Sequence, residues 1–211
     1  MTKFSNLPSP KSYEQAYNLA FELIVESPQE ALNAIKSIYE QNLPVKEEDI
    51  FYANTIVALA LRPIFRKIEI GKKISEKIII VKNNDFQANS NLFLIALSEK
   101  DMEKAKKYAQ NLLNANYEEY LKNMEPCAKS NIPEVQNYLE NTVGLYQHIS
   151  SFFMILGNED LSVHANHIAD KILSYKNKAH HDSVENFYKK YPDVRRKTSP
   201  KRRNLSIIER Y

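Results

Sequence analysis

Apolar residues recur along this chain at intervals of three and four positions, and almost nowhere at intervals of two. Intervals of this kind place one apolar stripe along the side of an α-helix. Four segments show the full pattern: 16–24, 31–39, 53–61 and 105–113. The run 78–81 (IIIV) has the composition of a β-strand, but it continues a helical spacing that begins at Gly71 and Ile74. The sequence therefore predicts an all-α fold.

Capping and proline signals divide these stripes into helices. Residues 12–15 (SYEQ) and 27–30 (SPQE) match a capping box, and Pro63 and Pro133 suit the first helical turn, which tolerates a missing N–H. We predict about nine helices, near 12–26, 28–42, 47–62, 64–82, 86–98, 101–115, 132–156, 160–176 and 180–190. Short breaks between the first six favour antiparallel helix pairs. Residues from about 116 to 131 are predicted to form an irregular insert.

The second helix of each predicted pair begins its stripe with a small residue, which lets the helix approach its partner closely. These small residues are Ala31, Gly71, Ala105 and Ala165. Each is followed by apolar or small residues three and seven positions later. Two interpretations remain open: a true repeat of helix pairs, or an irregular helical domain whose ordinary amphipathic helices happen to share this spacing.

One of these pairs resembles a known repeat family. Residues 92–113 (LFLIALSEKDMEKAKKYAQNLL) resemble a tetratricopeptide repeat. Leu92 stands where that repeat has Leu, Ala105 where it has the small residue of its second helix, and Lys100-Asp101 at its turn. Residues 156–161 (LGNEDL) resemble the same turn.

The sequence departs from the family at two places. Phe93 stands where the repeat has Gly or Ala, and Tyr117 where it usually closes with Pro. The resemblance implies a right-handed array of antiparallel helix pairs. It also implies a protein-interaction scaffold that holds a peptide or helix in a concave groove.

Glycine is scarce in this chain. It has three Gly among 211 residues, whereas about 7% is typical of proteins. Phosphate-binding loops, nucleophile elbows and tight hairpin turns depend on Gly, and no Walker, HExxH or Rossmann motif is present. We therefore expect neither a nucleotide-binding α/β enzyme nor an all-β fold, and we predict no cofactor.

Few residues suggest catalysis or metal binding. His164, His167 and Asp170 follow one another at intervals of three, and with His148 they form a candidate zinc site. The interpretation we favour is that His164 flanks an apolar stripe and His167 is solvated. Cys127, the single cysteine, has no recognisable catalytic signature around it. We predict no catalytic or metal site, and keep a metal- or Cys/His-dependent enzyme as the second alternative function.

The thirteen tyrosines are more informative. Tyrosine combines an apolar ring with a polar hydroxyl and is frequent at binding surfaces. Tyr13, Tyr17 and Tyr52 lie on or beside the stripes of the early helices, where they either pack at the edge of the core or line an inner groove. We take these three as the candidate groove of a non-enzymatic protein–protein interaction module or adaptor, with a protein or peptide as its partner.

Positive charge is concentrated at 189–211, where nine Lys and Arg residues face one Asp and one Glu, a charge of +7 in a chain of net charge +3. We divide the chain into a helical domain, 1–190, and a basic tail, 191–211. The candidate polyanion-binding residues are Arg195, Arg196, Lys197, Lys201, Arg202 and Arg203. Four interpretations of the tail remain open. It is a solvated end, it binds nucleic-acid phosphates, it is a nuclear-import-like cluster, or it docks on an acidic surface.

The end of this tail also carries apolar residues, namely Leu205, Ile207, Ile208 and Tyr211. We expect them to pack on the body of the chain or on a partner. Binding of phosphates through the basic residues makes a nucleic-acid-associated protein the first alternative function.

Apolar runs do not exceed six residues, whereas a membrane-spanning helix needs about 20. The N-terminal residues lack the apolar segment of a signal peptide. We therefore expect a cytoplasmic protein without a transmembrane segment, or a nuclear or host-delivered one if the source allows. Nothing in the sequence specifies an oligomeric state.

Overall fold

The computed structural model describes residues 9–115 and 133–190. Within these ranges the chain forms eight α-helices, a short 3-10 helix at Glu47–Asp49 and no β-strand. The helices are α1 (Tyr13–Leu23), α2 (Pro28–Glu40), α3 (Ile50–Leu61), α4 (Ile68–Val81), α5 (Phe86–Ser98), α6 (Met102–Leu113), α7 (Pro133–Ile155) and α8 (Glu159–Lys190). The predicted all-α fold is confirmed. The predicted insert at 116–131 and the basic tail lie outside the described residues.

The last helix differs from its prediction. The helices expected at 160–176 and 180–190 are one continuous helix, α8, of 32 residues. We expected a break near Asn177 and His180-His181, but neither Gly nor Pro occurs between Gly157 and Pro192. Glycine would relax the backbone φ angle, and proline would remove a backbone N–H. Because this region contains neither, the helical hydrogen bonds continue through it.

The described residues belong to two compact units, one containing α1–α6 and the other α7–α8. In the first unit, α1 packs on α2, α3 on α4 and α5 on α6, so consecutive helices form pairs. The pairs also touch one another, because α1 packs on α3, α2 on α4 and α4 on α5. In the second unit, α7 packs on α8.

Gly71 sets the separation of one helix pair. A Cβ atom built on it would lie 2.7 Å from Cδ2 of Leu61, so a residue with a side chain at this position would have to displace the Leu61 side chain. Ala31, Ala105 and Ala165 are all fully buried. The four small residues predicted from the sequence therefore all lie in the interior.

The turns of the α5–α6 and α7–α8 hairpins are closed by the same hydrogen bonds. Each has one residue in the left-handed region, Lys100 with φ +60° or Gly157 with φ +69°. The next residue, Asp101 or Asn158, donates its N–H to the carbonyl five residues earlier, at 2.9 Å in both turns. Its side chain then caps the following helix by accepting from the N–H three residues later. The two turns that look alike in sequence thus have the same geometry.

Candidate protein-interaction surface

Helices α1 and α3 pack against each other. Their first turns meet, because the Tyr52 hydroxyl of α3 donates to Oε1 of Glu14 in α1 at 3.2 Å. Helix α2 lies between them in the sequence and packs on α1, so α1 and α3 are the first helices of two successive pairs.

Four aromatic side chains meet on these two helices, and we call them the aromatic face: Tyr17, Phe21, Phe51 and Tyr52. The ring centroid of Tyr17 lies 5.8 Å from that of Phe21, 6.3 Å from that of Phe51 and 5.6 Å from that of Tyr52. Phe51 and Tyr52 are 5.4 Å apart with an interplanar angle of 77°. These separations lie in the range of favourable aromatic pairs. Tyr17 therefore contacts all three other rings and holds the cluster together.

The two phenylalanines of the aromatic face are largely open to solvent. Phe21 is 63% exposed and Phe51 is 67% exposed, while Tyr17 and Tyr52 are half-buried. The half-buried tyrosines contact both exposed rings: Phe21 touches Tyr17, and Phe51 touches Tyr17 and Tyr52. The result is an exposed apolar surface formed by rings that contact one another.

The helical register explains why α1 carries two rows of side chains, one buried and one at the surface. One stripe consists of Tyr13, Ala16, Ala20 and Leu23, all buried. The second begins with Glu14 and continues with Tyr17 and Phe21, at intervals of three and four that keep the residues on one side of a helix. The first stripe builds the core, and the second leaves aromatic rings at the surface beside α3.

The part of the chain that contains the aromatic face is acidic. Residues 13–61 contain eight acidic and two basic residues, a net charge of −6, and six of the eight acidic residues are exposed. Glu14 accepts the Tyr52 hydroxyl, and its negative charge raises the pKa of Tyr52 because it disfavours the phenolate. Glu22 is exposed and directly follows Phe21. One carboxylate, that of Glu14, therefore lies at the edge of the aromatic face.

Tyr13 has a different role from the other two predicted groove residues. It is 1% exposed and its hydroxyl donates to the carbonyl oxygen of Leu43 at 3.1 Å. Burial raises the pKa of Tyr13 to about 12, and the negative charge of Asp49 adds to the effect. The structure thus brings Tyr17 and Tyr52 together on an exposed surface, whereas Tyr13 lies in the core.

Sequence reasoning missed Phe21 and Phe51, the two most exposed rings of the aromatic face. A usable signal was present for each. Phe21 follows Tyr17 by four residues, outside the buried stripe of α1, and Phe51 is adjacent to Tyr52. An apolar ring outside the core stripe of a helix has no interior to enter and must face solvent or a partner.

The stretch 62–82 has the opposite charge, with seven basic and two acidic residues and a net charge of +5. Three of its five lysines make contacts within the first unit. Nζ of Lys72 pairs with Glu99 at 2.6 Å, Nζ of Lys73 lies 4.9 Å from the centroid of the Tyr39 ring, and Nζ of Lys77 donates to Leu43 O at 2.6 Å. These contacts connect α4 to neighbouring elements, so part of the positive charge of this stretch already has partners within the unit.

The histidines of the candidate zinc site are dispersed on the surface. His148, His164 and His167 are all exposed. In the part of the chain that the structure describes, no group of three or more His, Cys, Asp or Glu side chains is placed to hold a metal ion. Cys127 and the six candidate polyanion-binding residues, Arg195 to Arg203, lie outside the described ranges.

A second exposed apolar surface lies at the turn between α7 and α8. Met154, Ile155 and Leu156 are 56%, 79% and 42% exposed, and we call them the aliphatic tip. Met154 and Ile155 end α7, Leu156 follows directly, and none of the three has an aromatic ring. Glu159 and Asp160 follow at the start of α8 and are also exposed.

Comparison of the chain with protein-family models, curated proteins and solved structures finds no match. Between residues 9 and 115 and between 133 and 190, no helix combines the length and apolarity that crossing a membrane requires.

Proposed function

We propose that this chain is a non-enzymatic protein-interaction module, and that its aromatic face binds a peptide or helix of a partner. The observation that carries this proposal is the pair Phe21 and Phe51, each more than 60% exposed and each in contact with Tyr17. Aromatic residues are enriched at protein–protein interfaces and supply much of the binding energy there. Exposed rings of this kind contribute more to binding a partner than to the stability of the fold.

We further propose that the module is a tetratricopeptide-like array. Three features support this: helices that pair in sequence, first helices that lie side by side in α1 and α3, and the turn geometry shared by the two hairpins. In such an array, the first helices of successive pairs contribute to one continuous surface. The aromatic face is formed by α1 and α3, the first helices of two successive pairs, and this position supports the proposal.

The chemistry of the aromatic face selects a class of ligand. Its rings attract apolar side chains and also cations, since Lys and Arg are held over aromatic faces by the ring quadrupole. The carboxylate of Glu14, which accepts the Tyr52 hydroxyl at the edge of this face, favours the same positive charges. We propose that the ligand is a segment in which apolar residues alternate with, or directly follow, Lys or Arg.

Selection from a random peptide library tests this function. The bait is the chain ending at Tyr191, which retains every described helix. Affinities of the selected peptides are then measured for this protein, for the Phe21→Ser/Phe51→Ser variant and for Ile80→Ser, whose parent side chain is 83% exposed on α4. Serine has a helix propensity close to that of Phe and Ile, so these substitutions leave the helices intact.

We expect apolar, basic peptides whose affinity falls at least tenfold in the double variant, as for loss of interface hot spots, and is unchanged by Ile80→Ser. Peptides that bind the double variant as tightly as the parent would show that the aromatic face is not the binding surface.

Association with nucleic acid through the residues from Arg195 to Arg203, and a cytoplasmic location, remain predictions from the sequence. No contact among the described residues favours the nucleic-acid alternative over the protein-interaction module.

A further inference from the structure

We propose that the aromatic face of one copy of this chain binds the turn between α3 and α4 of a second copy. This turn, residues 62–68 (RPIFRKI), is named the arginine turn below. The inference rests on the proposed function of the aromatic face and names one partner for it. Both surfaces belong to the first compact unit, so every copy carries one of each.

The arginine turn has the composition of the ligand class that the aromatic face selects. Arg62 is followed two residues later by Ile64, and Arg66 is followed two residues later by Ile68. Both arginines are exposed, and Ile64 and Ile68 are 63% and 48% exposed. In the described ranges neither arginine takes part in an ion pair. Exposed guanidinium groups and aliphatic side chains therefore alternate within one short stretch.

The arginine turn cannot cover the aromatic face of its own copy. Phe51 lies in the first turn of α3 and Arg62 directly follows the last turn, and eleven residues of α-helix separate them by about 16 Å. The turn is held at that end of α3, because Phe65 is buried and the N–H of Lys67 donates to the carbonyl of Ala60 at 2.8 Å. The contact therefore needs a second copy.

Charge complementarity favours this partner. The arginine turn has three basic and no acidic residues, a net charge of +3, whereas residues 13–61 have a net charge of −6. The carboxylate of Glu14 lies at the edge of the aromatic face, and Glu47 and Glu48 are exposed in the 3-10 helix that leads directly into α3. A guanidinium group both stacks on aromatic rings and pairs with carboxylates. The arginines of the turn thus match the two chemical components of this surface.

Two other exposed apolar surfaces match the aromatic face less well. Residues 80–82 (IVK) at the end of α4 are exposed, but Lys82 is their only cation, and its ammonium group is more strongly hydrated than a guanidinium group. The aliphatic tip is followed by Glu159 and Asp160, which the negative charge of residues 13–61 repels. The arginine turn is the surface that combines aliphatic side chains with guanidinium groups.

The proposed contact joins two different surfaces. When one arginine turn occupies one aromatic face, the pair still has a free face on one copy and a free turn on the other. A heterologous contact of this kind adds further copies, in an open series or in a closed ring. Its two halves lie on different residues and can be removed separately.

Sedimentation velocity of the full chain and of two complementary variants tests the inference. The face variant, Phe21→Ser/Phe51→Ser, lacks the exposed rings and keeps the arginine turn. The turn variant, Arg62→Ser/Ile64→Ser, lacks one guanidinium group and one aliphatic side chain and keeps the aromatic face. All four parent side chains are exposed, and urea unfolding checks that each variant keeps its fold.

The matched control is Ile80→Ser/Lys82→Ser, which removes one exposed aliphatic side chain and one exposed cation from the end of α4. We expect the average mass of the parent and the control to rise between about 5 and 500 μM, as for a small, weak interface. Association of the face variant and of the turn variant should each be at least tenfold weaker. Association of the parent should weaken about tenfold when NaCl is raised from about 50 to 500 mM.

An equimolar mixture of the face variant and the turn variant gives the sharpest result. The first supplies an intact arginine turn and the second an intact aromatic face, so the mixture should form a 1:1 dimer and nothing larger. A contact between two aromatic faces would instead leave the turn variant self-associated and the mixture without a new species.

A parent that stays monomeric over the whole range, a face variant or turn variant that associates as the parent does, or a mixture without the dimer would each overturn the inference. The peptides selected from the random library separate this failure from that of the proposed function. If they bind the aromatic face of a chain that does not self-associate, only this inference is wrong.

Discussion

The aromatic face and the aliphatic tip both expose large apolar side chains, yet they are built differently. In the aromatic face, Phe21 and Phe51 stand on half-buried tyrosines and touch Tyr17. In the aliphatic tip, Met154 and Ile155 end a helix at a turn. The first surface joins two helices that are distant in sequence, and the second consists of neighbours in sequence.

This difference shows that exposure alone does not identify a binding surface. Scattered exposed apolar residues are normal on soluble proteins. A surface on which rings from two helices fix one another, with a hydroxyl bonded to Glu14 at its edge, has an ordered shape that a partner can match. The predictions below test whether the rings of the aromatic face serve recognition while other aromatic residues serve stability.

The largest expected effect separates a core ring from a surface ring. Phe153 is fully buried in the second unit, whereas Phe51 is 67% exposed. Phe153→Ala should lower the free energy of unfolding by about 3 to 5 kcal/mol, because it removes buried apolar area and leaves a cavity. Phe51→Ser should change it by less than about 0.5 kcal/mol. Urea unfolding of each variant measures both values, and a large loss from Phe51→Ser would assign that ring to stability.

The two tyrosines Tyr13 and Tyr52 should respond differently to alkaline pH. The pKa of Tyr13 is about 12 in the folded chain and about 10 in an unfolded one. Between these values the folded state keeps a proton that the unfolded state has lost, so stability falls as pH rises from 10 to 12, by up to about 3 kcal/mol. Tyr13→Phe removes this loss, and also the hydrogen bond to Leu43, worth about 1 kcal/mol.

Unfolding experiments at pH 8 and pH 11.5 test this difference. The parent should be more stable than Tyr13→Phe at pH 8 and less stable at pH 11.5. Tyr52→Phe should show a smaller change with pH, since solvent and salt screen the interaction of Tyr52 with Glu14. If the parent is more stable than Tyr52→Phe at pH 8 and less stable at pH 11.5, and Tyr13→Phe shows no such change of order, the assignment of Tyr13 to the core is wrong.

The smallest expected effect compares the two hairpin turns. Lys100 and Gly157 occupy the same left-handed position, which costs a residue with a Cβ about 1 kcal/mol. Lys100→Gly should therefore raise the thermal midpoint by a few degrees, and Gly157→Ala should lower it by a similar amount. Calorimetry of both variants checks this, and changes of the same sign would show that the turns are not equivalent.

The sequence predicts the helices well because periodicity depends on local geometry. The stripes at 16–24 and 53–61 lie within or extend just beyond α1 and α3, and the small residue Gly71 lies where two helices meet. The prediction was wrong about α8, because it placed a break near residue 177 although neither Gly nor Pro occurs between Gly157 and Pro192.

The candidate site was less accessible than the fold. Tyr13, Tyr17 and Tyr52 look equivalent in a linear pattern, but which of them reaches the surface depends on how α1 packs on α3 and where Leu43 offers a carbonyl group. Lys100 also gives no sequence signal for a left-handed backbone, since hydrogen bonds of the turn impose that conformation on it. Tertiary contacts determine these features, and such contacts do not follow from a fixed spacing of residues in the sequence.

Photo-crosslinking tests the central claim most directly. A benzoylphenylalanine is placed at position 51 in the aromatic face or at position 155 in the aliphatic tip, and the chain ending at Tyr191 is irradiated with a peptide selected from the library. We predict covalent capture of the peptide from position 51 and none above background from position 155. Equal capture from both positions, or capture from position 155 alone, would contradict the assignment of the aromatic face as the binding surface.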